Sequence, residues 1–277
     1  QLHHRRRPPS RQPTPWPAAH PPAHRRLNLY GGQVASRVIS PCVSVITPVF
    51  DPPLGAFSAC VEAMRGQSFT DWEWCLVDDC SSRPEVLEAL DDAARRDSRI
   101  KVHHRGANGG IVAASNDALA MATGEFVALL DHDDAIVSSG LASVMAVLQS
   151  EAGADVDYIY TDEAHVLADG RESAHFLKPD WSPERFRSSM YTCHLSVLRR
   201  AVVEAVGGFR VGFDGSQDHD LILRVTEHAG AADRRVVHVH LRVRAGARKG
   251  ELRLRPERRE VARPDDERLF IIRVGRR

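Results

Sequence analysis

The 277-residue sequence lacks the features of several large protein classes. No apolar run approaches the roughly 18 residues that span a bilayer, and the opening QLHHRRRPPS has no apolar stretch of the secretory type. Both absences predict a soluble, cytoplasmic core. The five cysteines (Cys42, Cys60, Cys75, Cys80, Cys193) are odd in number and show no C-x-x-C spacing, which suits a reducing compartment and thiols used for packing. The G-x-G-x-x-G fingerprint and the P-loop G-x-x-x-x-G-K-[ST] are both absent. No internal repeat is present.

Acid is missing from residues 1–40, which carry seven Arg, and basic residues dominate 241–277. The formal net charge of zero is therefore a sum of about +7, −14 and +7 over 1–40, 41–240 and 241–277. The segment apolar enough to bury a core is the acidic one, so a nucleic-acid binder is disfavoured. Residues 1–40 hold seven of sixteen prolines with His3, His4, His20 and His24, the composition of a disordered or extended leader. Their histidines have no fixed spacing and no cysteine partners, so a metal site is disfavoured. Residues 241–277 read as an Arg-rich tail whose membership of the fold is doubtful.

From Pro41 onward, short apolar runs alternate with helical periodicity. Val43–Thr47 reads as a buried strand ending at Pro48, and Phe57, Cys60, Val61 and Met64 recur at helical spacing up to Gly66. Strands are expected near 72–77, 100–103, 126–130, 157–160 and 194–198, and helices near 110–122, 141–149 and 218–228. Ser82, Pro84 and Glu85 form the pattern of a capping box opening another helix. The alternation predicts an α/β domain over 41–240 with a mainly parallel, Rossmann-like sheet and its ligand site beyond the carboxyl ends of the strands.

Polar clusters fall at those ends. Asp131, Asp133 and Asp134 lie within four residues after FVALL, and carboxylates so close together repel unless a cation or water intervenes. A loop capping the next helix is the competing reading. Ala135 and Ile136 exclude an EF-hand, and Ala135 also excludes D-x-D-x-[TV]. Asp78-Asp79 ends another strand and can accept hydrogen bonds from a base or ribose, or open the following helix. Asn108-Gly109-Gly110 precedes a helix N-terminus where glycines permit close backbone approach, or mark a simple turn. Gln217-Asp218-His219-Asp220 offers a general base or a set of helix-capping acids.

In order, SVITPVFDPP, LVDDCSS, GANGGIVAASNDALAMATGEFVALLDHDD, IYTDE, KPDWSPE, CHLSVLRR, VGGFR and GSQDHDLILRV resemble a family 2 glycosyltransferase over about Pro41–Val239. The nearest type is the bacterial non-processive enzyme of O-antigen and other cell-surface polysaccharides. That resemblance implies a GT-A fold, a nucleotide-binding half joined to an irregular acceptor-binding half. It implies inverting transfer from a UDP- or dTDP-linked sugar to a hydroxyl of a glycan or lipid-linked acceptor. It places Thr47, Pro48 and Phe50 in the nucleotide pocket, with Asp79, or its neighbour Asp78, reading the base. Asn108 and Gly109 border the donor, Asp131 lies near the ribose, and Asp133 takes Mg²⁺ or Mn²⁺ on the diphosphate. Asp218 is the implied base and Asp220 its fallback, while Trp181 and His194 contact sugar or phosphate.

Two departures stand out: Ala164 follows Thr161-Asp162-Glu163 where relatives carry Asp, and 241–277 do not match the family's closing segment. The second leaves open a non-catalytic nucleotide-sugar-binding remnant. The G-x-G-T-R signature of sugar nucleotidyltransferases and the Q-x-x-R-W of processive synthases are absent. The basic ends suit peripheral contact with an anionic membrane, at the inner face of the cell membrane.

Overall fold

Strand formation starts where the β-branched apolar run starts. Val43–Val49 (β1) is buried along nearly its whole length and Trp72–Asp78 (β2) at every position, as in strands covered on both faces. The structure, a computed structural model, describes residues 42–150, 153, 155–166, 172–228, 236–239 and 271–274. β1 and β2 pair in parallel, from Val43 opposite Trp72 to Val49 opposite Asp78. β1 continues through Pro48 instead of stopping there. On its other side Phe126–Leu129 (β4) has already ended opposite Ile46, so the missing proline N–H forfeits no ladder bond.

Ile100–His104 (β3) extends the parallel set beyond β2. The connecting helices are Leu54–Arg65 (α1), Pro84–Arg96 (α2) and Ile111–Met121 (α3). α1 buries Phe57, Cys60, Val61 and Met64 and stops at Gly66. The expected capping box does not form. Arg83 is the N-cap of α2 without a side-chain cap, while Ser82 bonds through N–H and hydroxyl to the Asp51 carboxylate (3.1 and 2.8 Å). Pro84 nonetheless opens the helix as expected.

The chain continues through Asp134–Ile136 (β5), Gly140–Leu148 (α4), Tyr158–Thr161 (β6), Glu163–Val166 (β7) and Glu172–Phe176 (β8). Then come Pro183–Ser188 (α5), Ser196–Arg199 (β9), Arg200–Ala205 (α6), Gln217–His228 (α7), Val236–Val239 (β10) and Ile271–Val274 (β11). The main sheet has the order β10-β6-β9-β4-β1-β2-β3, and all its strands run parallel except β9. A smaller sheet, β5-β11-β7-β8, joins the loop after β4 to the segment after β6. The expected α/β class and mainly parallel sheet are present. The second half is more regular than the sequence predicts. The leader 1–40 lies outside the described residues, as does the tail apart from β11. Among the described residues no helix is long and apolar enough to cross a membrane.

Apolar side chains fill both faces of the main sheet. Val45, Trp74 and Leu76 pack with Phe57, Met64 and Leu90 on one face; Ile46, Cys75 and Val77 pack with Val112, Leu119 and Leu221 on the other. One buried charge sits at the amino edge. Glu73 accepts from the Ser44 hydroxyl (2.6 Å) and from the Thr123 N–H and hydroxyl (2.6 and 2.9 Å), and it pairs with Lys101. Burial alone would raise the Glu73 carboxyl, but Lys101 and the three donors outweigh it and hold it below its usual range. Its contribution is thus complete above the unfolded-state value near 4.5 and lost as pH falls through the lower folded value. Glu73→Ala is expected to cost about 1–3 kcal/mol at pH 7, read by urea unfolding, because the Ser44 and Thr123 donors lose their acceptor while half-exposed Lys101 turns to water. The difference from wild type should shrink at pH 3.

Candidate functional site

Topology decides which residues meet. β1, β2, β3 and β4 all point their carboxyl ends at one edge of the sheet. β9 runs the other way, with Ser196 opposite both Leu129 and Tyr160, so the residues just before it reach that same edge. A cleft there has an apolar floor of Ile46, Ile111, Leu129, Leu130 and Phe209. Pro48, Ser115, Asp131, His194, Gln217 and Asp218 complete its lining.

After β4 the chain makes a tight turn, closed by the Asp134 N–H donating to the Asp131 carbonyl (3.2 Å). The turn brings its first and fourth residues together, so Asp131 and Asp134 converge. His194 lies between them, Nε2 at 3.7 Å from Asp131 Oδ2 and Nδ1 at 3.6 Å from Asp134 Oδ2. One ligand atom from each of these three residues lies within 4.8 Å of the others, a nitrogen and two carboxylates that suit a divalent cation such as Mn²⁺ or Mg²⁺. Asp133, the ligand implied by the family resemblance, is buried but is not one of this trio. Position in the turn, third against fourth, is the physical reason. Gln67 supports the arrangement by bonding to the carbonyls of Ile136 and Val137 (3.1 and 2.8 Å) and fixing the end of β5.

Asp218 enters the cleft from the first turn of α7. Burial raises its carboxyl and the Asp131 charge adds to it, pushing it up to about 7. Asp220, two residues on, is in a different position: its buried carboxylate is held by Arg210 (Nε 3.0 Å) and Arg224 (Nε 3.0, Nη2 2.7 Å). Burial would raise it, yet the two guanidiniums outweigh that effect and keep it low. In this position Asp220, the fallback for the base, anchors the start of α7 to Arg210 and Arg224.

Asp79 occupies the amino end of α3. Its Oδ1 accepts from the Gly109 N–H (2.9 Å) and from Arg105, and its Oδ2 from the Gly110 N–H (2.8 Å). Asn108 donates to the Asp79 carbonyl (3.0 Å). Gly110 has φ 84°, which a side chain rarely adopts, so the loop needs glycine there. Asp79 is thus the buried post on which the 105–110 loop is built, and its oxygens already have protein donors. Asp78 turns to the Ser81 N–H (3.1 Å) and to His104 (3.2 Å).

Thr47 is fully buried, its hydroxyl accepting from the Trp74 indole N–H (2.9 Å), so that hydroxyl is committed to the core. Phe50, half exposed, stands at the carboxyl edge just beyond β1. Trp181 packs with Tyr158, Tyr160, Phe186 and Tyr191 and is not among the residues that line the cleft.

Beneath His194 lies a group the sequence does not single out. The Lys178 side chain is wholly buried and donates to the carbonyls of Cys193 and His194 (2.6 and 3.0 Å). It pairs with Glu163 (3.2 Å), whose Oε2 accepts the His194 N–H (2.7 Å). Burial pulls the Lys178 ammonium down and Glu163 opposes it. A lysine between Leu177 and Pro179 carries no periodic or spacing signal of burial, so only the fold reveals it.

A carboxyl raised on folding binds its proton more tightly in the native state, so stability falls as pH rises from about 4 to about 7. Asp218→Asn is therefore expected to be more stable than wild type at pH 8, on the order of 2–4 kcal/mol, with little difference at pH 3.5. Thermal melts at the two pH values check this. Asp220→Ala leaves the largely buried Arg224 without its carboxylate, while half-exposed Arg210 turns to water, and a loss of about 1–3 kcal/mol is expected at every pH above 5.

The sequence matches the Glycosyl transferase family 2 family over residues 44–207. It is 40% identical over 212 residues to the O-antigen biosynthesis protein RfbC of Myxococcus xanthus, covering 76% of this chain and 16% of that protein. It is 42% identical over 200 residues to protein y4gI of Sinorhizobium fredii, covering 72% and 22% respectively. The chain thus spans less than a quarter of the length of either relative. Among solved structures it resembles S. aureus TarS 1–349 in complex with UDP, with TM-score 0.57 and 22% identity over 71% of this chain and 57% of that one. It also resembles the mannosyltransferase PcManGT of Pyrobaculum calidifontis in complex with GDP-Man and Mn²⁺, with TM-score 0.54 and 18% identity over 73% and 55%. The fold is the GT-A fold, and the chain belongs to glycosyltransferase family 2.

Proposed function

We propose that this chain transfers a sugar, with inversion, from a nucleoside-diphosphate sugar to an acceptor hydroxyl during polysaccharide synthesis. The observation that carries the reading is the placement of Asp131, His194 and Asp218 in one cleft at the carboxyl edge of a parallel sheet. The relative named for O-antigen biosynthesis and the neighbours solved with UDP and GDP-Man support the donor class and the pathway class. Asp131, Asp134 and His194 would hold Mg²⁺ or Mn²⁺, with Asp133 adding charge from beside them. A bound cation neutralises charge that develops on the leaving diphosphate.

Asp218 takes the acceptor proton. A base works best with its pKa near the working pH, and burial beside Asp131 places it there. Phe50 offers an apolar face to the base, and the loop anchored on Asp79 walls the donor. The acceptor is a glycan or a lipid-linked sugar, reached from the side of α7. For a lipid-linked acceptor, the basic ends of the chain supply contact with an anionic membrane surface.

Titration calorimetry with UDP and Mn²⁺ tests the site. Binding is expected in wild type and is expected to weaken roughly 100-fold in Asp131→Ala, equivalent to about 2.8 kcal/mol. Absence of binding by the folded wild type defeats the reading. Asp218→Asn is expected to keep UDP affinity while transfer falls about 10²–10⁴-fold. UDP binding with no transfer to any acceptor would favour the non-catalytic remnant instead. The pH–rate profile should rise with an apparent pKa near 7, and Asp131→Asn should move that limb to lower pH by removing a like charge.

A further inference from the structure

His194 comes to the candidate cation site from the segment preceding β9, remote in sequence from Asp131 and Asp134, and the fold clamps its main chain on both sides. Glu163 accepts its N–H at 2.7 Å. Its carbonyl accepts from the Lys178 ammonium at 3.0 Å and shares the Thr161 hydroxyl proton with the Asp162 carbonyl (3.2 and 3.1 Å). Thr161 Oγ1 also accepts the next N–H, that of Leu195, at 3.0 Å. Lys178 reaches back to the Cys193 carbonyl at 2.6 Å, and its own N–H donates to Asp162 at 2.7 Å. Lys178, Thr161, Asp162, Glu163, His194 and Leu195 are all buried. A buried lysine is costly unless it is paired and hydrogen-bonded, and here three acceptors surround it next to the cleft.

We propose that Lys178 and Thr161 are positioning residues that fix the His194 imidazole between Asp131 and Asp134 as a nitrogen ligand of the bound divalent cation. The inference rests on the cation reading above and adds to it the residues that orient one ligand. Neither residue touches the cation or the substrate. They act through the His194 main chain, as outer partners of metal ligands do, and loss of such partners commonly costs 10- to 100-fold in metal affinity.

Charge and positioning predict opposite signs, which makes the test decisive. Lys178 is a cation beside an acidic cluster, so on charge alone its removal would tighten Mn²⁺ binding. As a positioning residue, its removal weakens it. Thr161→Val changes no charge and keeps the shape, so on charge alone it would do nothing. The full chain is loaded with Mn²⁺ and UDP, and two quantities are read: Mn²⁺ affinity by calorimetry, and nitrogen coupling in the electron spin-echo modulation of bound Mn²⁺.

Wild type is expected to show the nitrogen coupling. Lys178→Met and Thr161→Val are expected to bind Mn²⁺ roughly 10- to 100-fold more weakly, with the coupling reduced or lost. Equal or tighter binding with the coupling intact in the folded variants overturns the proposal. Wild-type Mn²⁺ without nitrogen coupling overturns it too, while leaving the cation reading in place. Failure of wild type to bind Mn²⁺ at all removes that reading and this one together. If Lys178→Met does not fold, Thr161→Val decides alone.

Discussion

Repulsion among carboxylates at one edge of the main sheet is the constraint around which the site is organised. Asp131, Asp133, Asp134 and Asp218 are held near an apolar floor where water cannot fully screen them. The field is felt by its neighbours: burial raises the Cys60 thiol, and Asp134, Asp133 and Asp131 each add to the shift. Two responses are built into the fold. His194 is set between two of the acids, and Asp218 keeps its proton up to about 7. Concentrated negative charge of this kind costs stability, which the two apolar faces of the sheet offset.

Acids outside the cleft are treated differently. Asp79 receives two loop N–H groups and Arg105, Asp220 receives two arginines, and Glu73 receives Lys101 and three neutral donors. These carboxylates are fully provided with donors and serve as posts for the 105–110 loop, α7 and the amino edge. Asp131 and Asp218, by contrast, face the cleft, and the charge of the first raises the carboxyl of the second.

Much of this was readable in one dimension. VSVIT, WEWCLV and FVALL are short, mostly apolar runs bounded by turn residues, the pattern of interior strands, and the Phe57–Met64 stripe has a helical period. Since those strands alternate with helices, Asp78-Asp79 and Asp131–Asp134 had to fall at carboxyl ends. The small sheet was not readable, because β5, β7 and β11 are three or four residues each and pair across more than a hundred positions. Ser82 misled for a related reason: its local capping pattern lost to a distant carboxylate, Asp51, which local patterning does not register.

Within the site the division is sharper. The sequence by itself determined that an α/β core would gather aspartates at strand ends, because hydrophobic period and punctuation are local properties. Asp218 was singled out by the resemblance to family 2, through the Gln217-Asp218 pair, since its place at a helix start reads equally as capping. Only the tertiary structure decided that Asp134 rather than Asp133 meets Asp131, since a turn, not residue spacing, sets which carboxylates converge. Only the reversed direction of β9 brings His194 to them, and only burial next to that loop gives Lys178 a purpose. Spacing records which groups a chain carries; the direction and neighbours of each strand fix which of them can act together.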